Sequence, residues 1–178
     1  DWVRKWASLV KPGGEVLDLA CGEGRHSIFM ADLGHKVLAT DHDEEKLAVL
    51  RGIKNINTLL IDLEKDGLSF KEKRFSAIIV TNYLYRPFLT SLMKILDQSG
   101  VIIYETFSQG NESFGKPSNK SYLLKHHELL DVFRKKLYVV SFEQGRINLP
   151  KPAVIQRICA ITYHAAYNDH ILLNQVKG

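Results

Sequence analysis

Along the chain, short apolar runs with no polar face alternate with stretches in which apolar side chains return every three or four positions. Val16–Leu19, Lys36–Thr40 (KVLAT), Ile56–Ile61 (INTLLI), Phe75–Thr81 (FSAIIVT) and Val101–Tyr104 (VIIY) read as strands buried on both faces. Leu47 and Leu50 follow the acidic start Asp43, Glu44 and Glu45, which suits the positive end of a helix. Phe88, Leu89, Leu92, Met93 and Leu96 also fall at helical spacing, and Gly34 is placed to end the first crossover helix as its C-cap. Strict alternation of strand and helix predicts a parallel sheet with helices on both faces.

After Tyr104 the pattern changes. A polar loop, ETFSQGNESFGKPSNKS, leads to a helix predicted from about Tyr122 to Lys135, with Leu123, Leu130 and Phe133 inward. Leu137–Phe142 (LYVVSF) and Val154–Ile161 (VIQRICAI) read as two more strands, joined by QGRINLPKP. That connection is too short for a parallel return, so the pair is predicted to be an antiparallel hairpin. The tail YNDHILLNQVKG is expected to be a short helix or a frayed end. The expected fold class is therefore α/β: a Rossmann-like, doubly wound, mostly parallel seven-stranded sheet with helices on both faces and a C-terminal antiparallel hairpin. With 178 residues, 45% of them hydrophobic, residues 1–178 are expected to form a single domain around one core.

Charge and cysteine content narrow the class only a little. The formal charge of +4 is modest, and Lys and Arg are spread along the chain, so RNA is not singled out as a partner. No apolar run approaches the roughly 20 residues that span a bilayer, and the start DWVRKWASLV lacks the apolar core of a signal peptide. A soluble, cytoplasmic protein with no membrane partner is the expectation. The chain opens on Asp1, not Met, and residues ahead of it are expected. Cys21 and Cys159 form no CxxC pair, which fits reduced thiols and no metal site.

The stretch with most chemical content is Leu17–Ser27, LDLACGEGRHS, directly after the first predicted strand. In an open α/β sheet, ligands bind beyond the carboxyl ends of the strands where strand order reverses, which is where this turn falls. Gly22 and Gly24 let backbone approach a ligand closely, and the helix that follows offers unpaired N–H groups. A dinucleotide fingerprint would need a third glycine at Ser27, and Asp18 would repel a pyrophosphate, which counts against NAD. A second glycine motif, GNESFGKP at Gly110–Pro117, matches a phosphate-binding loop up to its lysine. Pro117 then stands where a Mg²⁺-binding hydroxyl is required, which counts against an NTPase.

An acidic residue ending the first strand, a Gly-x-Gly turn and a second carboxylate ending the next strand resemble the class I S-adenosylmethionine-dependent methyltransferases. Their pattern, close to D/E-x-G-x-G-x-G, is met by Asp18-Leu19-Ala20-Cys21-Gly22-Glu23-Gly24, with Ala20 replacing the first glycine. Within that class the turn is similar to those of small bacterial tellurite-resistance-like and thiopurine-like methyltransferases, and the resemblance covers roughly Val16 to Glu105.

The resemblance implies S-adenosyl-L-methionine as cofactor and methyl transfer as the reaction. Asp18 would then receive the methionine amino group, Gly22 and Gly24 would pass beneath the methionine part, and Arg25 and His26 would face its carboxylate. Asp41, with His42 beside it, would accept the ribose hydroxyls, since two carboxylate oxygens suit a vicinal diol. Asp62 and the Leu63 backbone would contact the adenine, and Thr81 and Asn82 would lie near the reactive methyl. Tyr83, Arg86 and Glu105 are the candidates for acceptor contact or proton transfer, Glu105 first among them. The loop Thr106–Lys120, with Phe107, Asn111, Glu112, Phe114 and Lys116, is expected to line the acceptor pocket, and Arg86 with Lys116 would suit an anionic one. The acceptor is expected to be a small molecule, with RNA and protein acceptors and the oligomeric state left open. Two alternatives stand beside the enzyme: a non-catalytic S-adenosylmethionine-binding sensor or scaffold, and then an NAD-dependent oxidoreductase.

Overall fold

The computed structural model describes residues 1–67, 70 and 72–168. Seven strands, β1 (Glu15–Leu19), β2 (Lys36–Asp41), β3 (Ile56–Leu60), β4 (Phe75–Thr81), β5 (Leu96–Phe107), β6 (Tyr138–Ile147) and β7 (Ala153–Ile161), form one sheet in the order β3-β2-β1-β4-β5-β7-β6. The first five are parallel; β7 runs antiparallel between β5 and β6. Helices α1 (Trp2–Trp6), α2 (Arg25–Asp32), α3 (Glu44–Ala48), α4 (Leu63–Asp66), α5 (Glu128–Phe133) and α6 (Tyr163–Asn168) complete the layers.

Successive strand residues point to opposite faces, and along β1, β4 and the middle of β5 both faces are covered, which is why these are apolar throughout; β3, expected to be buried on both faces, lies at the sheet edge and leaves Asn57, Leu59 and Leu60 exposed. Leu17, Leu19, Ile78, Val80 and Tyr104 belong to one buried cluster, with Phe88 and Phe133 packed on it. Val16, Ala39, Ile79 and Ile103 belong to the other, beneath Trp2 and Met30. Gly34 closes α2 as expected: at φ 89° its N–H donates to the Ala31 carbonyl and the His35 N–H donates to the Met30 carbonyl.

Three other sequence expectations need correction. The segment Phe88–Leu96 is not an α-helix; it holds two 3-10 turns, Arg86–Phe88 and Leu92–Ile95, and Leu96 already begins β5. An i, i+3 turn buries one side much as a helix does, so Phe88, Leu89 and Leu92 are buried without an α-helix. The helix expected from Tyr122 is only Glu128–Phe133, because Leu124 is drawn onto the end of β5, where its N–H donates to the Phe107 carbonyl. Strands β5 and β6 run past Tyr104 and Phe142 because their shared partner β7 continues to pair with them, Phe107 with Ile155 and Ile147 with Ala153. The tail begins inside α6, and its part from residue 169 lies outside the described residues.

Candidate functional site

The first four strands end side by side where the sheet order reverses, with β2 on one side of β1 and β4 on the other. Beyond their carboxyl ends lies an open cleft of about 470 Å³, bounded by Ala20, Asp41, His42, Ile61 and Asp62 on the β1–β3 side. Leu63, Glu64, Lys65 and Tyr83 complete its lining.

The bend after β1 is left-handed at alternate residues, with φ of 52° at Ala20, 58° at Gly22 and 74° at Gly24. Its two glycines serve different ends. A Cβ on Gly22 would meet nothing within 4 Å, so the bend is bare there, whereas a Cβ on Gly24 would lie 2.4 Å from a Leu50 methyl. The bend is anchored by hydrogen bonds from Cys21 N–H to the Thr40 carbonyl (2.9 Å) and from Gly24 N–H to the Cys21 carbonyl (3.0 Å).

Asp41 ends β2 and is 5% exposed, yet it borders the cleft. One oxygen accepts the Gly22 N–H at 2.8 Å and the other accepts the Asp43 N–H at 3.0 Å, with His42 Nδ1 3.3 Å away. Asp62 caps α4 by accepting the Glu64 N–H, and Lys65 Nζ lies 2.9 Å from its second oxygen. The Lys65 hydrogen bond holds the Asp62 carboxyl below its ordinary range. Tyr83 stacks on Phe88 with ring centroids 5.9 Å apart. Burial first, and then the Glu64 and Asp62 carboxylates, push its phenol above the usual range, so it stays protonated.

The other predicted residues lie elsewhere. Asp18 turns under the start of α2, where Ser27 Oγ donates to it at 2.6 Å; burial raises its pKa to about 7. It is 1% exposed and does not line the cleft. Arg25 and His26 face each other, Nη2 to Nε2 at 2.9 Å, and burial lowers the His26 pKa to about 4. Thr81 ends β4, and Asn82 follows at φ 55° with its N–H donated to the Glu105 carbonyl.

Two of the three catalytic candidates sit in ion pairs with distant parts of the chain. Arg157 Nη1 lies 3.3 Å from Glu105, in a network that also holds Glu143. Arg86 grips Glu128 through Nε (2.6 Å) and Nη2 (3.0 Å) and donates to the Leu123 and Ser121 carbonyls. It therefore clamps segment 121–128 to the loop after β4 and offers little to an anion. The loop 106–120 does not line the cleft either. Asn111 is 2% exposed and bridges the Pro117 carbonyl and the Val154 N–H, and Phe114 lies under Arg146. Sequence reasoning missed Ile61, Glu64 and Lys65, which flank Asp62; their signal was adjacency to a strand-end aspartate.

Comparison with known proteins bears on the family and the fold. The family model described as "Tellurite resistance protein TehB" matches residues 2–99. A curated relative, the "Probable S-adenosyl-L-methionine-dependent methyltransferase TehB" of Haemophilus influenzae (strain 10810), is 31% identical over 97 residues. That match takes in 52% of this chain and spans only 34% of the relative's length. The crystal structure of TehB from Haemophilus influenzae superposes with a TM-score of 0.76 at 20% identity, covering 90% of this chain and 61% of that one. The 1,6-didemethyltoxoflavin-N1-methyltransferase of Burkholderia thailandensis, solved with S-adenosylhomocysteine, gives 0.65 at 19% identity over 91% of this chain and 79% of that one. At these identities the two structures establish the fold.

Proposed function

This chain belongs to the TehB family, and from that premise we propose that it binds S-adenosylmethionine in the cleft beyond β1–β4 and transfers the methyl group to a small-molecule acceptor. The observation that carries the reading is Asp41: a carboxylate at the end of β2 that borders the cleft and at the same time holds the bare bend of Gly22 by its N–H. A carboxylate has about four lone-pair positions, so after two backbone amides it can still accept a ribose diol.

The remaining groups fit the same ligand. The methionine half lies along the bare bend at Gly22, and Asp18 acts through the bend, whose following helix it holds by Ser27, not by touching the ligand. The Leu63 N–H, in the first turn of α4 and so without a helical partner, and the Asp62 carboxylate face the adenine side. Tyr83 forms the wall toward the acceptor.

Transfer forms a bond from the acceptor to the methyl carbon and breaks the carbon–sulfur bond in line, leaving S-adenosylhomocysteine. The protein's part is alignment and exclusion of water. Tyr83 stays protonated and Glu105 is paired with Arg157, so neither serves as a base. This favours an acceptor that is already nucleophilic near neutral pH, such as a thiolate or another soft anion. The described residues are read as one domain, since both buried clusters rest on the same sheet. Among them, no helix is long and apolar enough to cross a membrane.

Titration calorimetry with S-adenosylmethionine and S-adenosylhomocysteine, with NADH as the comparison, tests the cofactor. Binding of NADH with no response to either sulfur nucleoside overturns the reading. Incubation with a radiolabelled methyl donor and candidate thiols then separates an enzyme from a sensor with the same pocket.

A further inference from the structure

Strand β6 runs parallel to β5, since each is antiparallel to β7. The turn that joins β6 to β7, residues 148–152, therefore lies at the same end of the sheet as the cleft. The loop after β5 comes to meet it. Asn111 ties the Pro117 carbonyl (3.1 Å) to the Val154 N–H (3.2 Å), Val154 pairs with Arg146, and the Arg146 guanidinium stands 4.8 Å above the Phe114 ring. A bridge between Ser108 and Leu124 fixes the far end of the loop.

This joint surface is basic. Lys116, Lys120, Lys125, Arg146 and Lys151 are all exposed, and segments 109–125 and 144–154 hold a single carboxylate, Glu112. The cleft, toward the other edge of the same end, is lined by Asp41, Asp62 and Glu64, so charge is polarised across the sheet. The surface is also apolar at its tip. Leu149 is 83% exposed, more than any other large apolar side chain among the described residues, and Tyr122 (50%) and Phe114 (39%) are exposed in the loop that meets it. A lone exposed leucine is ordinary. Set on a turn that carries Lys151 and adjoins Arg146, it has the make-up of an interfacial anchor, an apolar group to leave water and cations to meet anionic headgroups.

We propose that this surface docks the protein on an anionic lipid bilayer, with Leu149 entering the acyl boundary and the five cations meeting headgroup phosphates and carboxylates. Tyr122 belongs at headgroup level, where an apolar ring and a hydroxyl suit the two sides of the boundary. The contact is peripheral and needs no spanning helix. Docked in this way, the cleft at the same end of the sheet opens toward the membrane surface. RNA would also meet the cations, but single strands bind by stacking bases on open aromatic faces. One face of Phe114 is already taken by Arg146, and the most exposed apolar group, Leu149, has no ring. Each cation near an anionic surface contributes about fivefold in affinity, and burial of the leucine roughly tenfold.

Co-sedimentation with vesicles tests it, using phosphatidylcholine alone or with about 30 mol% phosphatidylserine, each at about 50 and about 500 mM salt. Binding is expected on the anionic vesicles at low salt, is expected to fall steeply at high salt, and is expected to be absent on the neutral ones. Leu149→Asp is expected to weaken it roughly tenfold and Lys116→Ala with Lys151→Ala about 25-fold, both with an unchanged circular dichroism spectrum. Lys36→Ala with Lys54→Ala removes the same charge ahead of β2 and β3, at the opposite end of the sheet, and is expected to change binding less than about twofold. A wild-type chain that ignores the anionic vesicles, a Leu149→Asp variant that binds as wild type does, or equal losses from the two lysine pairs overturns the proposal. So does a preference for single-stranded RNA of mixed sequence over the vesicles, which would make the surface a nucleic-acid site.

Discussion

The Gly22 amide donates to the Asp41 carboxylate across 2.8 Å, joining the bend after β1 to the end of β2. A ligand that engages Asp41 therefore also feels the shape of the bend, and damage at either residue reaches the other.

Asp41→Ala removes the acceptor for two backbone amides as well as the group facing the cleft. S-adenosylhomocysteine affinity is expected to fall roughly 10- to 100-fold, the worth of a charge-assisted hydrogen bond. Calorimetry reads the affinity, and denaturant unfolding is expected to show a parallel loss of about 1–3 kcal/mol.

Ala20 and Gly24 of the bend respond in opposite ways. Gly24→Ala places a methyl 2.4 Å from Leu50 at φ 74° and is expected to destabilise by about 2–4 kcal/mol. Ala20→Gly relieves a left-handed alanine at φ 52° and is expected to be neutral or stabilising by up to about 1 kcal/mol, unlike most alanine-to-glycine changes. Urea midpoints at constant slope decide both.

Two buried groups give opposing pH dependence. Burial raises Asp18 from 3.8 to about 7, so the folded state holds more protons than the unfolded one. Its contribution is fully present below pH 3.8 and is lost as pH rises through about 7. Burial lowers His26 from 6.5 to about 4, so its contribution is present above pH 6.5 and is lost as pH falls through about 4. Asp18→Asn is expected to gain stability relative to wild type between pH 4 and 7, and His26→Gln to flatten the acid side of the profile. Thermal melts across pH 4–8 separate the two.

Arg86→Ala strips Glu128 of its partner and frees the Ser121 and Leu123 carbonyls. With Glu128 17% exposed, a cost of about 2–4 kcal/mol is expected, with S-adenosylhomocysteine affinity changed less than threefold. A large loss of affinity at unchanged stability would instead give Arg86 a part in holding the cofactor.

How much of this was legible follows from the range of the forces involved. Local patterning is written in consecutive residues: the apolar runs of β1–β5, the hairpin of β6 and β7, the Gly34 cap, and the strand-end carboxylates Asp41 and Asp62, both of which border the cleft. The spacing of Phe88, Leu89 and Leu92 recorded one-sided burial but did not separate an α-helix from 3-10 turns, because both bury every third or fourth residue.

Which charged side chains are free for chemistry was not written locally at all. Arg86 meets Glu128 and Glu105 meets Arg157 across 42 and 52 residues of chain, and no local pattern announces either ion pair. Ser27 and Asp18 are closer in sequence, but only the packing of α2 on the sheet turns that carboxylate inward and away from the cleft. By itself the sequence determined the strands, their class of fold and the position of the turn, since backbone preference and apolar period act over a few residues. Only the tertiary structure decided which polar groups face solvent and which are already paired, since that depends on partners brought together from distant parts of the chain.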